Sequence, residues 1–163
     1  MSRISSILLV TFIITTSAQA EEWNTYLNER FGFRFAYPKS LKPSRTPQNG
    51  AGLNFTDGKF SVTAHGHFLN GRTIEAFFQD ALKAYGGAIT YKVKKPSWFV
   101  VSADQSNGYV AYRKFHVQGG NWAEFTATYP IGTGAKYDPV IERMAKGFIP
   151  FLSGKEYDRA PSP

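Results

Sequence analysis

Glycine-bearing turn pairs cut this chain into short alternating runs, and that punctuation limits its fold more than any other feature. Asp57-Gly58, Asn70-Gly71, Asn107-Gly108 and Gly119-Gly120 are pairs that tolerate the positive φ of a tight reversal. The runs beside them alternate. Phe60, Val62 and Ala64 recur at every second position, as do Phe31, Phe33 and Phe35 against Gly32, Arg34 and Ala36. A period of two marks a strand with one buried face. The first such strand must stop at Tyr37-Pro38, because proline cannot donate to a ladder. Ser40 to Gly52 holds Pro43, Pro47 and Asn49-Gly50 and reads as a loop. Leu53 to Thr56 and Phe60 to Leu69 form an expected hairpin. A meander of Ile89 to Lys94, Trp98 to Ala103, Tyr109 to Val117 and Trp122 to Tyr129 follows.

Two segments switch to helical spacing. After Thr73, a fitting N-cap, Ile74, Phe77, Phe78, Ala81, Leu82 and Tyr85 make one apolar stripe, with Gly86 or Gly87 as the stop. Near the C-terminus, Asp138 suits an N-cap and Pro139 a first turn, with Ile141, Met144, Ala145 and Phe148 on one face. Glu21 to Arg30 is polar apart from Trp23, Tyr26 and Leu27 and reads as a lead-in or short helical turn. The expected class is α+β: a six-stranded, mainly antiparallel sheet with a C-terminal-half meander, flanked by two principal helices as an αβα sandwich.

The N-terminus reads as an address. Arg3 precedes the apolar run Ile4 to Ile14, and Ala18-Gln19-Ala20 supplies small residues at a cleavage position. That order suits a secretory signal peptide, and the run is too short to span a bilayer. Expected organisation is therefore a signal peptide over 1–20, a single domain over 21–153 and a flexible tail over 154–163. Cleavage after Ala20 would leave a periplasmic or secreted chain with no transmembrane span. Because the sequence has no cysteine, disulfides, thiolate metal sites, cysteine nucleophiles and a lipid anchor on cysteine are excluded. Aromatics at 16% can fill the core instead.

A formal charge of +7 favours acidic partners, but the basic residues are spread along the chain, as on an ordinary solvated surface. Nucleic acid is not an expected partner in an exported compartment. Lys92 and Lys94 share one strand face, and Tyr112, Lys114 and His116 share another. Lysines mixed with aromatics could hold an anionic ligand, or could simply be a solvated sheet face. For metal chemistry the candidates are His65, His67 and His116. His65 and His67 project to one face about 6.6 Å apart along the strand, and His116 on a separate strand could complete an open zinc site. No nucleophile elbow, phosphate-cradling loop or marked carboxylate pair accompanies them, and no cofactor is expected.

Several phrases carry a family likeness. Trp23-Asn24-Thr25-Tyr26 and Asn28-Glu29-Arg30-Phe31-Gly32-Phe33 lead into Tyr37-Pro38. Asn49-Gly50 precedes a Phe-containing hairpin, Trp98-Phe99-Val100-Val101-Ser102 lies in the meander, and Tyr137-Asp138-Pro139-Val140 opens the last helix. Together, from Trp23 to Phe151, the chain resembles exported bacterial proteins of the PsbP-like αβα-sandwich superfamily. The resemblance implies a small sandwich that works as a binding or accessory module; with no catalytic motif assembled in the sequence, the expected role is a non-catalytic module binding a protein, lipid or envelope component. Members of that superfamily bind unrelated partners, so the likeness selects none of them. The competing expectation is a small metal-dependent hydrolase built on His65, His67 and His116.

Overall fold

The computed structural model describes residues 21–44, 49–85 and 88–153. The expected signal peptide, the stop at Gly86-Gly87 and the tail from residue 154 lie outside them. The strands are β1 (Trp23–Asn28), β2 (Phe33–Pro38), β3 (Lys42–Pro43), β4 (Gly52–Thr56), β5 (Ser61–Phe68), β6 (Ala88–Lys94), β7 (Trp98–Asp104), β8 (Tyr109–Gln118) and β9 (Asn121–Pro130). Helix α1 (Ile74–Tyr85) separates β5 from β6, and α2 (Gly134–Gly147) follows β9. β1 and β2 form a separate two-stranded antiparallel sheet. The other seven strands form one antiparallel sheet in the order β3-β4-β5-β9-β8-β7-β6. The fold is α+β, with α1 on one face of the large sheet and α2 together with β1–β2 on the other.

Each face is built from one parity of the strand sequence. On the α1 side, Phe99, Val101 and Phe115 point outward and receive Phe77 and Ala81 of the helix. Phe77 and Phe115 lie with ring centroids 4.8 Å apart. The helix begins as its sequence predicts, with Thr73 Oγ1 accepting the Ala76 N–H at 3.2 Å. On the other side, Val62, Ala64, Phe125 and Ala127 meet Phe33 and Phe35 of β2, Ile141 and Met144 of α2, and Phe148 at the end of that helix. Phe33, Phe35, Phe55, Phe99, Phe115 and Phe125 are fully buried, each worth on the order of 2–3 kcal/mol of hydrophobic transfer.

Two close approaches lock α2 onto β2. A Cβ on Gly147 would sit 2.9 Å from the Ala36 Cβ, so only glycine lets the last turn lie this near. Arg34 and Ile149 then exchange two backbone hydrogen bonds of 2.9 Å.

Three local expectations are corrected. The lead-in Glu21 to Arg30 contains β1, whose register runs from Trp23 opposite Pro38 to Asn28 opposite Phe33. Strand Phe33–Pro38 belongs to that separate pair, and the main sheet gains the two-residue β3 within the expected loop. Helix α2 starts at Gly134 after Thr133, so Pro139 stands inside it. Asp138 caps nothing; its carboxylate accepts the Tyr129 hydroxyl at 2.7 Å.

Candidate functional site

The two outer layers are offset across the sheet. Helix α1 packs on β6 and β7, whereas α2 packs beside β2 over the β5–β9–β8 region. On the α2 side, no described helix packs over the outer part of β6 and β7. A cleft of about 610 Å³ opens there between α2 and the sheet, within the range of small-ligand sites.

A β-bulge decides which side chains enter this cleft. Ile89 faces Ala103, but Tyr91 faces Ser102, so one extra residue is absorbed between them. Without the bulge Tyr91 would oppose Val101, and Lys92 would turn toward the cleft. With it, Tyr91 joins Ser102 and Tyr112 on the α2 side, and Lys92 and Lys94 go to the α1 side. Re-aiming side chains in this way is a common use of bulges.

The opposite wall comes from the β9–α2 connection and from α2 itself. Gly132, at φ 87°, turns the chain after Pro130, and Thr133 Oγ1 donates to the Pro130 carbonyl at 2.6 Å. The early helix start places Asp138, Ile141, Glu142 and Ala145 along the cleft, facing Asp104, Val110, Tyr112 and Tyr129 of the sheet. Tyr91 and Ile131, 56% and 46% exposed, stand at its edge. Burial pushes the Tyr112 hydroxyl up to about 12, with Tyr91 adding to the shift. Burial and then the Asp138 carboxylate raise Tyr129 further. Both therefore stay protonated as hydrogen-bond donors at neutral pH. Asp138 is engaged by Tyr129, and Glu142 pairs with Lys146 at 2.7 Å. No hydrogen bond or ion pair holds the Asp104 carboxylate among the described residues. Among the described lining residues there is no Lys, Arg or His.

The residues singled out by sequence divide between the two faces. Lys92 lies exposed on the α1 side, and Lys94 Nζ pairs with Glu75 of that helix at 2.7 Å. Tyr112 lines the cleft. Lys114, two residues along on the same face, donates from Nζ to the Ala145 carbonyl at 2.7 Å, and burial lowers its pKa. The four do not form one surface. Tyr91, Asp104, Asp138 and Glu142 were not legible as site residues, since their placement needs the bulge and the true start of α2.

The three histidines do not converge. His65 faces Glu124 and His67 faces Trp122, both on the α1 side, whereas His116 faces Ala123 on the α2 side. Among the described residues no group of three His, Asp or Glu side chains is placed to hold a metal ion. His65 Nε2 lies 3.3 Å from Glu124 Oε1, and Arg113 Nε donates to Glu124 Oε2 at 2.6 Å. This trio ties β5, β9 and β8 together. Burial lowers the His65 pKa in spite of Glu124, with Arg113 and His67 adding to the shift. His116 is held at about 4 by burial and then by Lys114, with Trp98 stacked beside it.

Comparison with known proteins agrees with this architecture. The cyanobacterial PsbP protein CyanoP from Synechocystis sp. PCC 6803 superposes with a TM-score of 0.59 at 9% identity, covering 82% of this chain and 95% of that one. A structure from Bacteroides thetaiotaomicron VPI-5482 superposes at a TM-score of 0.50 and 16% identity. That match covers 75% of this chain but only 46% of the other. No family model and no curated protein matches the sequence. The fold is thus PsbP-like. No helix among the described residues is long and apolar enough to cross a membrane.

Proposed function

We propose that this chain is exported, is cleaved after Ala20 and acts as a non-catalytic binding or accessory module for a protein, lipid or envelope component. The observation that carries the reading is the cleft of about 610 Å³ between α2 and the sheet. Its aromatic walls supply contact area and its tyrosine hydroxyls supply orientation, the combination common to ligand pockets. The N-terminal pattern supports export, and the PsbP-like fold supports an accessory role by analogy. Tyr112 is the residue proposed from sequence that this site uses directly, and Lys114 braces α2 beside it.

The test replaces Tyr91, at the cleft edge, with a benzophenone-bearing photo-crosslinking residue in the cell that makes the protein. The control position is Lys59, exposed in the β4–β5 turn. A discrete adduct from position 91 and none from position 59 is expected. Equal, diffuse labelling from both positions would overturn the reading.

A further inference from the structure

The charge of the cleft runs against the charge of the chain. The sequence carries 19 Lys and Arg against 12 Asp and Glu, yet among the described residues lining the cleft the charged ones are Asp104, Asp138 and Glu142. Asp104 and Asp138 approach it from opposite walls, one at the end of β7 and one on α2. Tyr112 and Tyr129, on β8 and β9, also line it, and Tyr91 stands at its β6 edge. Two described lysines border the α2 wall and are already engaged there: Lys114 Nζ donates to the Ala145 carbonyl, and Lys146 pairs with Glu142, which leaves Asp104 as the carboxylate without a described partner.

We infer that the cleft binds an organic cation: a protonated amine or guanidinium carried on an apolar or aromatic body. This rests on the binding-module reading and names the ligand class for that same site. The amine meets Asp104 and the tyrosine faces, which attract cations through both charge and ring quadrupole. The apolar body lies along Val110, Ile131 and Ile141. An anion of the same shape would face the unpaired Asp104 carboxylate, with the Asp138 carboxylate on the opposite wall. The amine can belong to a free small molecule or to a basic side chain of a protein partner; the recognising chemistry is the same.

The test is an NMR titration of the folded protein with three probes sharing an indole body: tryptamine (cation), tryptophol (neutral) and indole-3-propionate (anion). A fourth probe, acetyl-Trp-Lys-amide, carries its cation on a side chain. Tryptamine should shift the amides of Tyr91, Asp104 and Tyr112 and bind at least about tenfold more tightly than tryptophol, with indole-3-propionate weakest. Asp104→Asn should remove most of that difference, and an unchanged amide spectrum outside the cleft confirms that the variant folds. Binding of tryptamine without the capped peptide assigns the site to free amines; binding of the peptide as tightly or more so assigns it to a basic side chain. Both support the inference. Equal binding of all three indoles at these resonances overturns the cation preference while leaving a functional cleft. No cleft shift with any probe also overturns it, and the position-91 crosslink then reports separately on the binding-module reading.

Discussion

Arg113 and Glu124 face one another diagonally across the β8–β9 pair, with a 2.6 Å hydrogen bond from Nε to Oε2. The Glu124 side chain is 5% exposed and that of Arg113 is 18% exposed. The guanidinium also lies over Phe115, 5.2 Å from the ring centroid. Breaking such a pair from one side strands a buried charge, whereas replacing both partners removes the need for it. Arg113→Met should therefore destabilise the domain by about 3 kcal/mol, and Arg113→Met with Glu124→Gln by clearly less. Urea denaturation of the two single variants and the double variant measures the coupling. Additive losses would mean that the pair contributes nothing beyond its separate side chains.

His116 makes stability depend on mild acid. Its folded pKa of about 4 lies below its ordinary 6.5 because the ring is buried beside Lys114. Between those values the unfolded chain binds the proton and the folded chain does not. The contribution is fully present above pH 6.5 and is lost as pH falls toward 4. Its ceiling is about 3 kcal/mol, less after solvent screening of a ring that is only part-buried. His65, also lowered by burial, acts in the same direction. His116→Phe keeps a ring between Trp98 and Phe148 and removes the Nε2 atom that is buried without a partner. That variant should flatten the thermal-stability profile between pH 6.5 and 4.5, above the range where most carboxylates titrate. A profile as steep as that of the parent would rule His116 out as the cause.

Gly52 is fixed by its neighbour across the β4–β5 pair. A Cβ there would overlap the Ala64 carbonyl oxygen and the His65 Cβ. With the His65 Cα, all three obstructing atoms are backbone or directly attached to it, so relief requires moving a strand. Gly52→Ala should cost about 2 kcal/mol or more, read as a lowered urea midpoint. Gly58→Ala, where a Cβ would meet nothing within 4 Å, isolates the penalty of a positive φ alone, about 1 kcal/mol.

Alternation and turn chemistry revealed most of the sheet, because Phe33, Phe35, Val62, Ala64 and Phe115 sit at positions where burial on one face dictates an apolar residue. β1 was hidden because Trp23-Asn24-Thr25-Tyr26-Leu27-Asn28 does not alternate; backbone pairing to β2 specifies it. Helix α2 was started late because Asp138-Pro139 imitates a cap and first turn. Tyr137 carried the contrary signal, since Tyr137, Ile141, Met144 and Phe148 form one stripe. The candidate site was the least legible part. Period two correctly grouped Lys92 with Lys94 and Tyr112 with Lys114, but a single bulged residue near Thr90 put the pairs on opposite faces.

The account rests on the cleft being the place where a partner binds, and filling it is the direct test. Ser102 lines the floor between Tyr91 and Tyr112, so Ser102→Trp places an indole inside the space without touching the main core. With the photo-crosslinking residue at position 91, the Ser102→Trp chain should fold, as judged by its circular dichroism, and its adduct yield should fall to that of position 59. An adduct formed as efficiently as in the parent chain would contradict the assignment of function to this cleft.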